Sequence, residues 1–146
     1  MVNDLEQLAD QIRESFERKN RIRDEALTQS RTLIRHAARS IRAIHREDAD
    51  LAREHLNEAD RLAADLRQGL AEDPDLYFSG YAQDALKEYC EAHLTLAIIT
   101  GQSWPSPDDL QVEYATYLNG MSEVVGELRR RIMDIMREGQ IGRAHV

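Results

Sequence analysis

From Asp4 to Arg46 the chain contains neither glycine nor proline. Within this stretch Leu27, Ile34, Ile41 and Ile44, with Ala37 and Ala38 between them, recur at helical spacing, which predicts one long amphipathic helix. At 1.5 Å per residue a helix of ~40 residues spans roughly 60 Å. Its first turns, in the more polar segment 1–20, are therefore expected to project beyond the elements that pack on the rest. A chain committed to such an element, with 5% aromatic and 32% charged residues among 146, reads as all-α and one domain.

The charges are unevenly placed. Arg31, Arg35, Arg39, Arg42 and Arg46 step by four, four, three and four along the first helix, and no acidic residue interrupts them. The segment that follows reverses the sign: Glu47–Asp75 holds ten acidic residues against Arg53, Arg61 and Arg67. A net charge of −8 argues by itself against an anionic partner, but the arginine stripe leaves two readings open. Either these side chains pair with the acidic helix, or part of the stripe lines a phosphate-binding surface.

Asp48 or Asp50 is expected to cap a second helix, a solvated wall that ends near Gly69 and Glu72-Asp-Pro-Asp75. Leu76-Tyr-Phe-Ser-Gly-Tyr81 opens a third helix running to Thr100, its aromatics read as core packing before base stacking. The one clear loop, Gln102–Asp109, has Trp104 as its expected anchor and Ser106-Pro107 as the start of a short turn. A last helix begins near Thr116, with Leu118, Met121, Val125 and Leu128 as its apolar stripe. Glycine in a helix costs about 1 kcal/mol relative to alanine, so Gly120 and Gly126 are each expected to mark a close helix contact.

The chemistry-bearing residues lie on the last two long helices. Glu88 and Glu91 form one carboxylate pair, Glu123 and Glu127 another, each within about one turn. Exposed acidic faces are common. Glu88 and Glu91, however, sit among Leu86, Tyr89 and Leu94, and a carboxylate near apolar neighbours needs a hydrogen bond, a counter-charge or a metal. If the helices face each other, four carboxylates converge as a hard divalent-cation site in a bundle. No Glu-x-x-His occurs, which disfavours a ferritin-like di-iron site, and no Cys/His spacing suggests zinc. Cys90 reads as a small core residue, and no nucleophile triad or phosphate-binding glycine loop is present.

Tyr117-Leu-Asn-Gly120 followed by Val124-Val-Gly-Glu-Leu-Arg-Arg130, with Leu86-Lys-Glu-Tyr-Cys-Glu-Ala92 upstream, resembles the translin family, in particular its short prokaryotic members. The match runs loosely from about Asn20 to Gly139. The resemblance implies an antiparallel helical bundle, closed homo-oligomers, and binding of single-stranded RNA or DNA. It further implies Mg²⁺- or Mn²⁺-dependent endoribonuclease activity, with Glu88, Glu91 and Glu123 catalytic, Glu127 completing the metal ligands, and Arg31, Arg35, Arg39, Arg42 and Arg46 on the nucleic acid. One departure bears on catalysis: the family's nuclease subunits usually carry Asp where Glu123 stands. The alternative is a non-catalytic helical scaffold with structural carboxylates.

Residues 141–146 do not continue the helical pattern and read as a non-native tail of the kind a translated sequencing adapter leaves. The bundle is accordingly expected to lack its carboxyl-terminal helices. An acidic amino end and the lack of any apolar run near ~20 residues predict a cytoplasmic protein with no membrane partner.

Overall fold

A computed structural model describes residues 1–144, with side-chain environments for 1–139. Six helices follow in order: α1 (Val2–His45), α2 (Ala49–Gly69), α3 (Pro74–Tyr77), α4 (Gly80–Ile99), α5 (Pro107–Leu110) and α6 (Tyr114–Ala144). Among the described residues there is no strand.

The uninterrupted stretch forms α1 throughout. Its core-facing side, Ala26, Leu33, Ala37, Ile41 and Ile44, is buried, while residues 1–18 are exposed. Leu5, Leu8, Ile12 and Phe16 of that exposed half form a stripe at 47–70% exposure. Where the projecting half meets the body, Arg18 grips buried Asp73 with two 3.0 Å bonds, and Lys19 reaches Asp75 at 2.9 Å.

Caps set the boundaries. The Asp48 carboxylate accepts from the Leu51 amide at 3.1 Å and starts α2. Ser106 and Asp109 make a reciprocal capping box around Pro107 at α5. An extended Ser79, following Phe78 at the end of α3, splits what the sequence reads as one helix into α3 and α4. Leu76 there is buried and Tyr77 half-buried, while Phe78 is 61% exposed, so only part of that aromatic cluster packs the core.

Helices α1 and α2 pack antiparallel, with the Ser40 hydroxyl donating to the Ala52 carbonyl at 3.0 Å in the buried seam. Helix α4 runs antiparallel to α2, its Tyr89 and His93 meeting Asp60. Segment 100–113 then crosses back along the bundle, so that α6 runs parallel to α4. Thr116 meets Gln83, Gly120 meets Lys87 and Cys90, and Glu123 meets Lys87, advancing together along both helices.

Several expectations are corrected. Trp104 is 59% exposed and not packed into the bundle; the crossover is tied down by buried Leu110 and Val112 and by the Tyr117 hydroxyl donating to the Pro105 carbonyl at 2.7 Å. Helix α6 turns Tyr117, Gly120 and Val124 inward, leaving Leu118 and Val125 more than 60% exposed. Gly126 has no neighbour within 4 Å of where a Cβ would sit, so it marks no close contact. At the carboxyl end the backbone is helical to Ala144, so residues 141–144 extend α6 although their sequence does not continue its apolar pattern. The remainder of the predicted tail, 145–146, lies outside the described residues.

Candidate metal centre

Parallel packing of α4 and α6 decides which carboxylates meet. Gly120 allows the helices to close: a Cβ there would lie 2.9 Å from Cys90 Cβ and 3.1 Å from the Lys87 carbonyl oxygen. One turn further along the seam, Glu88, Glu91 and Glu123 converge, each offering an oxygen within 4.8 Å of the others. Glu91 is 5% exposed and forms the floor. Glu88 and Glu123 form the rim, with side chains 28% and 42% exposed.

Burial pushes the Glu91 carboxyl well above the usual carboxylate range, and the neighbouring Glu123 and Glu88 push it the same way. A protonated Glu91 then donates to Glu123. Burial acts upward on Glu123 too, but the bond from Glu91 and the Lys87 ammonium outweigh it and hold this group below its ordinary value. Lys87 Nζ lies 2.8 Å from Glu123 and 3.6 Å from Glu88, the nearest positive charge to the cluster. Sequence reasoning missed Lys87, although its place beside Glu88 was visible.

The donor chemistry fits a hard divalent cation: three carboxylates on two rigid helices, one buried and lacking enough positive charge to ionise. Sulfur and imidazole are absent from the group. Cys90, immediately behind it, is fully buried and its thiol is pushed up to about 12, so it stays neutral.

Glu127 does not join the cluster. Its carboxylate pairs with His45 Nε2 at the carboxyl end of α1, where His45 is nearly buried. One turn of α6 separates Glu123 from Glu127, enough for them to face different neighbours. The pair thus ties α6 to α1, reinforced by Arg131 donating to Glu47 at 2.7 Å.

Arg31, Arg35, Arg39, Arg42 and Arg46 are all exposed. Among the described residues none forms an ion pair: the acidic wall of α2 is engaged by its own Arg61 on Glu58 and Asp65, and by His93 on Asp60. The reading in which the stripe is neutralised by α2 therefore fails. A second polar feature was not read from sequence. A cavity of about 230 Å³ between α2, α4 and the crossover is lined by Arg53, Asn57, Asp60, His93 and Gln102. In its wall Asp60 accepts from Tyr89 at 2.6 Å and meets His93 Nε2 at 2.7 Å.

No protein-family model matches the sequence. An uncharacterized protein of Methanocaldococcus jannaschii is 32% identical over 125 residues, 84% of this chain and 55% of the relative. The chain thus spans about half the length of the curated relative it matches. Among solved structures, AfC3PO superposes with a TM-score of 0.82 at 31% identity, over 90% of this chain and 67% of that one. A complex of AfC3PO with duplex RNA matches equally well. Apo-NeC3PO shares the fold at a TM-score of 0.82 and 24% identity, covering 90% and 69% of the two chains. Among the described residues no helix is long and apolar enough to cross a membrane.

Proposed function

Because this chain belongs to the translin family, we propose that it is an RNA-binding protein that cleaves RNA with a divalent metal held by Glu88, Glu91 and Glu123. The observation that carries this reading is the convergence of those three carboxylates at the α4–α6 seam. AfC3PO, which shares the fold, binds duplex RNA. We extend RNA binding to this chain and include single strands, whose phosphates present the same charge.

Mg²⁺ or Mn²⁺ at this position supplies charge neutralisation at the scissile phosphate and a water acidified for attack. The chain's own residues set the stage. Glu91 would have to release its proton to act as a ligand, beside Glu88 and Glu123 at the rim. Lys87, now on Glu123, would be the cation nearest a phosphate held there. The arginines of α1 hold the backbone, with an affinity that falls as salt rises. The exposed apolar stripes of α1 and α6 favour assembly with further copies.

The second reading, binding without cleavage, is favoured by one feature: Glu123 stands where the family's nuclease subunits usually have Asp. The added methylene moves the carboxylate by about one bond length, and Mg²⁺ demands near-ideal octahedral geometry. The deciding experiment incubates labelled single-stranded and duplex RNA with the full chain in Mn²⁺ or EDTA, beside Glu91→Gln. Cleavage that needs Mn²⁺ and vanishes in the variant establishes the nuclease. A gel shift without cleavage establishes the binding protein, and neither removes both.

A further inference from the structure

Away from the carboxylates, the α1–α2 seam brings two histidines together. His36 and His55 face each other with Nδ1 atoms 3.2 Å apart and ring centroids 5.4 Å apart, tilted at 42°. Both are partly shielded from solvent, and among the described residues neither ring bonds any other group. The Ser40 to Ala52 bond, one turn away on each helix, fixes the register that opposes them.

Two neutral imidazoles can share one proton across such a gap. The same gap suits a different occupant. At metal–nitrogen distances of ~2.0–2.1 Å and near-tetrahedral angles, two ligating nitrogens lie roughly 3.3–3.4 Å apart. The observed separation lies within about 0.2 Å of that spacing, and modest rotation of the two rings turns their lone pairs toward a common ion. Burial and the facing His55 lower the proton affinity of His36, Arg39 and Arg35 act the same way, and Glu58, one helical turn beyond His55, opposes them. Glu58 is held by exposed Arg61, a partner it can exchange for a cation at little cost.

We propose that His36 and His55 form an interhelical binding site for a zinc-class divalent cation, with water completing the shell and Glu58 brought in as a third ligand only by leaving Arg61. Two imidazoles select ions of this class over Mg²⁺, the reverse of the all-oxygen cluster on α4 and α6. An ion here clamps α1 to α2 beside Arg35 and Arg39, stiffening the turn that carries part of the basic stripe.

The test titrates Zn²⁺ into the EDTA-treated, dialysed full chain, by calorimetry and by thermal unfolding. The variants are Glu91→Gln, which disables the carboxylate cluster, and His36→Gln and His55→Gln. With the histidine substitutions made in the Glu91→Gln background, the expected result is one site in Glu91→Gln, a rise of several degrees in melting temperature, and at least a tenfold loss of affinity when either histidine is replaced. Mg²⁺ should produce no such shift in Glu91→Gln. Zinc stabilisation that survives both histidine substitutions, or that is missing from Glu91→Gln, overturns the proposal. Should the histidine variants fail to fold, electron paramagnetic resonance of Cu²⁺ bound to Glu91→Gln decides the matter. Nitrogen hyperfine structure from two imidazoles supports the site, and a spectrum of oxygen ligands alone removes it.

Discussion

Gly120 of α6 lies so close to Cys90 of α4 that a methyl group added at 120 would sit 2.9 Å from the Cys90 Cβ. No ordinary carbon contact is that short, and the next neighbours are α4 backbone, which cannot swing aside. Gly120→Ala must therefore separate the two helices that bring Glu123 to Glu88 and Glu91. Overpacking of this kind costs about 1–3 kcal/mol and exceeds the ~1 kcal/mol that alanine contributes to helix propensity. Urea unfolding should show a net loss of up to about 2 kcal/mol, with Mn²⁺ affinity lowered as well. Gly126→Ala, in open space on the same helix, should gain about 0.5–1 kcal/mol. Equal effects at the two positions would mean that the seam is looser than described.

Glu91 makes the metal-free protein sensitive to alkali. Its carboxyl is raised in the folded chain by burial first and by Glu123 and Glu88 next, so the folded state holds a proton that the unfolded chain releases near pH 4.3. Stability from this group is complete below that pH and is lost as pH rises toward the folded-state value. Without divalent metal, the melting temperature should fall from pH 5 toward pH 8. Glu91→Gln should flatten that slope and stabilise the metal-free protein at pH 8 by on the order of 2 kcal/mol. Saturating Mn²⁺ should reverse the ranking, since only wild type retains the buried ligand. Parallel pH profiles for the two proteins would show that Glu91 is ionised without help.

How much of this was legible in the sequence depends on whether a signal is local. Helix α1 was, because nothing in forty residues interrupts it, and so were the Asp48 and Ser106 caps, whose partners lie three residues away. Glu88, Glu91 and Glu123 were legible as candidates. Their union with each other, and not with Glu127, rests on the crossover that sets α6 parallel to α4, a long-range fact that periodicity does not contain. Helix α6 also carries two apolar stripes. The pattern displayed Leu118 and Val125, yet Tyr117, Gly120 and Val124 face the core, and hydrophobic spacing cannot say which face finds a partner within the chain. The unpaired state of the arginine stripe was likewise undecidable, because α2 offers acidic residues and only the fold shows Arg61 and His93 on them and no stripe arginine.

Glu127 bonds His45 rather than the cluster, so its removal should affect packing and leave metal binding intact. Glu127→Gln keeps an acceptor but loses the charge, at a cost of about 1 kcal/mol in a half-buried bond. Its Mn²⁺ affinity, read by calorimetry, should stay within twofold of wild type, while Glu91→Gln loses most of its binding. An equal loss in both variants would return Glu127 to the ligand set.

The arginine stripe is the strongest candidate surface for nucleic acid, because its charges lack protein counter-ions while Arg61 of α2 is paired with Glu58 and Asp65. Each phosphate contact neutralised by a cation contributes about 0.7 to the slope of log affinity against log salt on single strands, and about 0.9 on duplex. Replacing Arg35 and Arg39 together by Gln should lower that slope by about 1.4 on single-stranded RNA if both reach phosphate. Such a pair is also expected to weaken binding by roughly tenfold at low salt. The matched control is Arg61→Gln, which removes the same charge from α2 but from a residue committed to Glu58 and Asp65. Its slope should match wild type. A control variant that weakens binding as much as the stripe variant would mean that only overall charge matters, in a protein whose net charge is already −8. A stripe variant that binds like wild type would move the RNA to another surface. Arg129, Arg130 and Arg137, exposed together on α6, would then be the next to neutralise.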